Sequence, residues 1–534
     1  MSLLKFIDQI LVNIRLLAVL CLMDIFASFC IPVNAQPISQ IRMGDPFTLK
    51  NTYLYPKLFL DAGTYFLLSF RNPDFMLDKE GATDFAIESF NTDLHHTITY
   101  PVTGSLKEFH KLEPLFLDYH EGSFYIFATE ASVSTGTARS LVFRLNSRGD
   151  MLGQPVILGE ISDLDKSTEV LYAEKEDTYF HVTGFYEDSA RVFLYTQQYP
   201  AQGQTTTKLM VKVLDTHLTP VRHKILNLSV PPEYCEFSDI LMARGELFFI
   251  LTIQLPFEDK VFKLVTYNFD KDELNYFDFS IEGKKIHTLE TVRLEKGNIM
   301  IRGLYAEPDS KEEVDGSLYF LFDTDNQTLL STGSALIPAE PGRVPANELV
   351  HLQIRESYIR SNGDVVIISE LYWTEVISFS DSEGKLYLRP YYHSDDLLIM
   401  SFTQTGDVKW HSWIPREFAA STEEMLGFHS LMSDTTLYII YNDHPDNVQV
   451  YDAGRIKRIK GNFIPVLATV DTETGVYHKN AFSDPSGRKY DLLFKKEYTR
   501  NVSPGSMIWI MTNGSGYLAR ITFQNAGTSS KEKN

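Results

Sequence analysis

At 534 residues, with 44% hydrophobic and 13% aromatic side chains, the chain has enough apolar material for a large core, which excludes wholesale disorder. A formal charge of −21 repels phosphate-rich partners and excludes a general nucleic-acid or anionic-membrane binder. Only three cysteines are present, and Cys21 and Cys30 lie near the N-terminus, so a disulfide framework is excluded as well.

The chain opens on a leader. Lys5 and Arg15 precede an apolar run over 16–31, and Val33-Asn34-Ala35 is a small-residue cleavage pattern. This predicts a signal peptide over 1–35 and a mature N-terminus at Gln36. The alternative is an uncleaved anchor, because the apolar run nearly spans a bilayer; Asp24 interrupts it and the polar front is long. A cleaved leader makes the protein secreted or periplasmic, in the cell envelope, with no membrane insertion afterwards. A monomer is expected. The mature chain then keeps Cys235 alone, with no His or Asn at a spacing that would make it a nucleophile. Sequons at Asn227, Asn326, Asn501 and Asn513 are short enough to arise by chance.

Next comes an unassigned strand, Pro46-Phe47-Thr48-Leu49-Lys50, and then a pattern that repeats to the end. A continuous apolar strand follows a turn bearing Gly, Asp or Asn at 64–68, 124–127, 178–182, 247–251, 299–301, 365–369, 437–441 and 507–510. Continuous apolar runs predict cover on both faces. A second apolar strand ends in an apolar residue followed by Asp or Asn at Phe90-Asn91, Leu145-Asn146, Leu214-Asp215, Phe269-Asp270, Phe322-Asp323 and Val470-Asp471. Phe402-Thr403 and Phe523-Gln524 are variants of it. Asp and Asn there are expected to bond a backbone N–H two residues on and start a tight turn, a structural role. Neither Asp270/Asp272 nor Asp323/Asp325 continues into a calcium loop.

Four short strands per unit, repeated, predict an all-β protein: a β-propeller of eight four-stranded blades over 36–524, with seven as the alternative count. The last unit lacks a fourth strand, because 525–534 is a polar tail expected to be disordered. The strand at 46–50 supplies it, with Phe47 and Leu49 beside the run from Leu518 to Phe523, and closes the ring.

Candidate sites lie on the links between the second and third strands, which vary most and sit on a rigid scaffold. The link in unit three runs from Glu187 to Thr207, and those of units six and seven are longest. Unit six sends Tyr372-Trp373 outward and Tyr391-Tyr392-His393 back as an extended hairpin. Unit seven adds Asn442-Asp443 and a basic run from Arg455 to Lys460, alternating with Ile as on one face of a strand. These side chains either pack the hairpin on the next blade or form an aromatic wall with a polar rim. The binding residues under the second reading are Tyr372, Trp373, Tyr391, Tyr392, Asn442, Asp443 and Arg455. Trp410 and Trp413, on an outer strand, are read as packing. His95 and His96 are adjacent on a strand, point to opposite faces and make a poor metal pair.

No G-x-S-x-G, H-E-x-x-H, P-loop or dinucleotide fingerprint is present, and no metal or cofactor is expected. The function expected on this basis is a non-enzymatic exported propeller. It would bind an envelope or extracellular protein, or a surface glycan, through the loop face of blades six and seven. The alternative is a carbohydrate-active hydrolase or lyase with carboxylates at the axis.

Two stretches resemble known families. Ala468-Thr469-Val470-Asp471-Thr472-Glu473-Thr474-Gly475 and 401–410, from Ser401 through Gly406 to Trp410, resemble the outer hairpin of PQQ-like propeller repeats, in which eight blades are usual. The adjacent cysteine pair of the quinone enzymes is missing, so quinone binding does not carry over. Arg389 to Tyr392, Trp410 through Arg416, and Tyr438 to Asp443 also resemble a family of uncharacterised secreted bacterial propellers. That resemblance implies export and a propeller, with no known activity.

Overall fold

The computed structural model describes residues 38–523 apart from short stretches, the longer being 48–52, 72–83, 103–111, 163–179, 200–204, 339–345, 381–385 and 483–493. The leader, its cleavage site, Leu49 and the tail over 525–534 lie outside the described residues.

Apolar strands covered on both faces must stack face to face, and they do. The described residues form eight antiparallel sheets; seven are each built from one stretch of the chain, and the eighth joins the N-terminal strand to the last three. Blade five shows the reason. Its second strand, Ile299–Ala306, is buried at every position, because each face meets a different neighbouring blade. The core therefore lies in layers between blades. Leu68, Ile87, Phe124 and Phe143 join blades one and two; Met300, Tyr319, Ile367 and Phe402 join five and six. One layer holds Tyr438 of blade seven, Trp509 of blade eight and Leu67 and Phe90 of blade one, so the ring closes. The protein is an eight-bladed β-propeller.

Closure uses the N-terminal strand, which spans Ile38–Phe47 and pairs antiparallel with Ser515–Phe523 as the outer strand of blade eight. It begins earlier than the sequence pattern suggests; Phe47 lies opposite Gly516 at its far end. Pairing removes two free sheet edges at once. Blade one grips the strand through Arg42 to Asp93 and through His95 Nδ1 to Asp45 Oδ2 at 2.8 Å.

The turns after the third strands form as expected. Oδ1 of Asn91, Asn146, Asp215 and Asp471 each accepts from the backbone N–H two residues on, at 2.8–3.0 Å. In blade four Asn268, not Asp270, has this role, since the strand ends one residue before Phe269. At Gly406, where φ is +93°, a Cβ would stand 1.8 Å from Thr332 O of blade five, so the close approach of the blades requires glycine.

Blade three differs from the expectation. The described part of the run at 178–182, from Phe180 to Val182, belongs to its first strand, Phe180–Glu187, and the second is Ala190–Gln198. Val192 to Tyr195 are fully enclosed there, whereas the first strand alternates between buried and open positions. The predicted loop from Glu187 to Thr207 thus contains a strand.

Candidate functional site

The seven side chains singled out on blades six and seven do not form one wall. The hairpin itself is as expected: Val365–Ser380 and Leu386–Phe402 pair along their length, with Trp373 opposite His393. Alternation along these strands, with Ala419 and Ala420 of the fourth strand pairing opposite His393 and Tyr392, sends the aromatics to opposite faces. Trp373 stacks between His351 and His393, with ring centroids 5.1 and 4.4 Å away, and Tyr391 meets His393 edge-on. On the other face Tyr372 and Tyr392 pack with Phe418, Leu426 and Ile459. The Tyr372 hydroxyl bonds Glu423, and Arg355 covers its ring.

Asn442 and Asp443 are interior rather than rim. Asn442 Nδ2 donates to Met425 O and Phe494 O, both at 2.9 Å, and Asp443 Oδ1 accepts from Asn447 Nδ2 at 2.7 Å. Burial pushes the Asp443 carboxyl above its ordinary range. Arg455 stands apart in solvent and pairs with Asp452 at 3.2 Å. The stretch after it is not a strand: a short 3₁₀ turn covers Ala453–Arg455, and Ile459 tucks into the core. Trp410 and Trp413 pack as expected, their Nε1 groups donating to Thr472 O at 3.0 Å and Pro338 O at 3.1 Å.

Side chains capable of chemistry gather instead on the first strands, which neighbour one another around the axis. These strands keep partial solvent access, unlike the second strands; Thr499–Ser503 of blade eight and Leu352–Ile359 of blade six are half-open. Glu356 and Tyr358 of blade six face Ser430 of blade seven. Glu356 Oε2 lies 2.9 Å from the Tyr358 hydroxyl and 2.8 Å from Ser430 Oγ, and the two hydroxyls are 2.7 Å apart. Asn501 of blade eight completes the group. Its Nδ2 donates to Ser430 O at 3.0 Å, and its Oδ1 is 2.8 Å from His429 Nε2. With Oδ1 as acceptor, His429 carries its proton on Nε2.

Electrostatics separate these groups by role. Burial, aided by the Glu356 charge, raises the Tyr358 phenol far above its ordinary value, so it stays a donor. Burial also lowers the His429 imidazole, and Lys496 pushes the same way, while Asn501 and Glu356 oppose. His429 is therefore neutral near pH 7. A carboxylate and a locked phenol on one strand and a neutral imidazole on the next can accept and donate protons.

Around the axis the ring continues with cations. Arg500, beside Asn501, donates to Leu58 O of blade one. Lys57 Nζ of blade one donates to Leu117 O at 2.6 Å. Asp118 of blade two accepts from Arg191 Nε and Nη2 of blade three at 2.8 and 2.5 Å. On the far side a cleft of about 370 Å³ opens between the first strands of blades four and five, lined by Glu236, Asp239, His287, Glu290 and Arg302 among others. Arg302 bridges it to blade six, donating to Ser357 Oγ at 2.8 Å beside Glu356. First strands share no sequence signature. The traces visible in the sequence are polar interruptions such as Arg355-Glu356-Ser357-Tyr358 and His429-Ser430 inside apolar frames.

No family model matches the chain, and no curated protein matches it. Solved structures do. A polysaccharide lyase, Uly1, is 11% identical over 77% of this chain and 90% of its own, with a TM-score of 0.36. The propeller domain of the trilobed protease from Pyrococcus furiosus, described as having an open velcro topology, is 10% identical over 71% of this chain and 95% of its own, TM-score 0.31. Sucrose-6-phosphate hydrolase from Lactobacillus gasseri is 10% identical over 92% and 94%, TM-score 0.31. These structures bear the names of enzymes, which runs against the expected non-enzymatic binding propeller, and that expectation is withdrawn. The divided faces of the unit-six hairpin and the burial of Asn442 and Asp443 remove its structural basis. At such identities likeness speaks to fold alone, so activity must be argued from the side chains.

Proposed function

We propose that the protein is a carbohydrate-active hydrolase or lyase whose reaction takes place at the axis, beside the first strands of blades five to eight. The observation that carries this reading is the group Glu356, Tyr358, His429, Ser430 and Asn501. Glycan cleavage by either route needs a proton taken from one atom and given to another. His429, neutral, is suited to take a proton. Glu356 is the axial carboxylate, held by the Tyr358 and Ser430 hydroxyls. The cleft between blades four and five offers room for sugar units next to Arg302. In the same reading the leader over 1–35 is removed and the enzyme meets its glycan outside the cytoplasm. The resemblance of blades six and seven to a family of secreted bacterial propellers supports export in this reading.

The test is incubation with a panel of neutral and acidic polysaccharides. Two readouts separate the routes: new reducing ends for either, and ultraviolet absorbance of an unsaturated end for a lyase alone. Glu356→Gln and His429→Ala should each abolish product. The pH profile should rise as His429 loses its proton, with a midpoint below the ordinary imidazole value. Full product from both variants would overturn the assignment.

A further inference from the structure

The axis beside Asn501 carries more positive charge than its partners neutralise. Asp118 is committed to Arg191 through two bonds, and Glu187 to Arg222 Nη1 at 2.9 and 2.8 Å. Lys57, Arg500 and Arg293 remain. Among the described residues no carboxylate forms an ion pair with any of the three; each is held by a backbone carbonyl, Arg293 Nη2 donating to Tyr186 O at 3.0 Å. Arg293 Nη1 is buried with no partner among the described residues.

Lys57 is near enough to Arg191 and Arg500 to be repelled by both, and Arg293 by Arg191. Burial lowers Lys57, Arg293 and Arg500 below their ordinary values; Asp118 opposes it at Lys57 and Arg500, and Glu187 at Arg293, while the neighbouring cations add to it at Lys57 and Arg293. Placing like charges together on partly enclosed strands opposes folding unless an anion joins them. The backbone also makes way for the group: a Cβ on Gly184 would stand 2.5 Å from Arg191 Nη2 and 3.2 Å from the Phe116 ring. Such a cluster is unexpected in a chain of formal charge −21.

Resting on the reading of the axis as the glycan site, we propose that Lys57, Arg293 and Arg500 bind the anionic groups of an acidic polysaccharide, a carboxylate or a sulfate, and make it the preferred substrate class. Arg500 and Asn501 are consecutive on one strand and point to opposite sides, so this strand carries the anion subsite on one side and the proton-transfer group on the other. A polymer lying along the axis meets both.

The experiment is affinity electrophoresis of the full chain in gels containing dextran, dextran sulfate or polygalacturonate, with melting curves recorded for every variant. Retardation by dextran sulfate alone identifies sulfate as the anion and by polygalacturonate alone the carboxylate; either supports the proposal, and retardation no greater than in dextran overturns it. Lys57→Gln and Arg500→Gln should each weaken retardation about tenfold or more, whereas Arg500→Lys retains most of it. Retardation unchanged in both Gln variants, with parental melting, also overturns it. Cleavage of neutral glycans only, with no retention by either polyanion, would leave the axial enzyme standing without this subsite. Retention by a polyanion with no cleavage of any glycan would leave the subsite standing without the enzyme.

Discussion

The seam between blades six and seven and the axis between blades eight and three both collect charged side chains, in opposite manner. At the seam the cations meet carboxylates. Arg360 bonds Asp364, Asp434 O and Glu473, and Lys409 reaches Asp364 at 2.9 Å and Glu473. Farther along blade six Arg416, wholly buried, bonds Glu370 and Ser394, while Glu370 also accepts from Arg355 at 2.8 Å. At the axis, Lys57, Arg293 and Arg500 hydrogen-bond backbone carbonyls and lie over the rings of Phe116, Phe185 and Phe59, and among the described residues none forms an ion pair with a carboxylate. A saturated network holds blades in register; an unsaturated one is available to a ligand.

Breaking the saturated network should have the largest effect. Arg416→Met leaves Glu370 buried beside an apolar chain, and chemical denaturation should show a loss of about 3–5 kcal/mol. Next is the hairpin, whose aromatics pack on both faces. Trp373→Ala with Tyr392→Ala should lower stability by about 2 kcal/mol in the same assay, with the axial activity retained.

A smaller effect sharpens the contrast through pH. The folded pKa of His429 lies below its unfolded value near 6.5, so the unfolded chain binds more protons in that window. The contribution of neutral His429 is present above pH 6.5 and is lost as pH falls through the depressed folded value. Melting temperature should therefore fall with acidity in this range, and less steeply in His429→Gln. Asp443 has the opposite sign. Its raised folded pKa gives stability that is present at acid pH and lost as pH rises through the raised value, so Asp443→Asn should flatten the curve there. The smallest expected change is in the unsaturated ring. Arg500→Gln removes a charge that its neighbours repel, and stability should move by no more than about 0.5 kcal/mol.

The fold was legible because each blade repeats two signals that burial enforces: an unbroken apolar second strand and an Asp or Asn turn after the third. Where a signal weakened, register slipped, as in blade three, where Phe180-His181-Val182 resembles a second strand and Val192 to Tyr195 is one. The site was less legible. Aromatic loops such as Tyr372-Trp373 stand out in a sequence, but facing direction depends on alternation along an arm whose packing partners, Phe418 and Ile459, are distant in the chain. Glu356, His429 and Arg500 stand out in no single stretch. They converge because ring closure brings the first strands of blades six, seven, eight and one together, and convergence belongs to the fold rather than to any one segment.

The most direct measurement compares two variants on one polysaccharide that the parent cleaves. Glu356→Gln removes the axial charge but keeps a side-chain oxygen able to accept from Tyr358 and from Ser430 of blade seven; Trp373→Ala changes the hairpin and leaves the axis intact. The account predicts that turnover is lost in Glu356→Gln at parental melting temperature, and that Trp373→Ala keeps turnover despite a lower one. Loss of turnover in Trp373→Ala with full turnover in Glu356→Gln would contradict it and return the site to the outer loops.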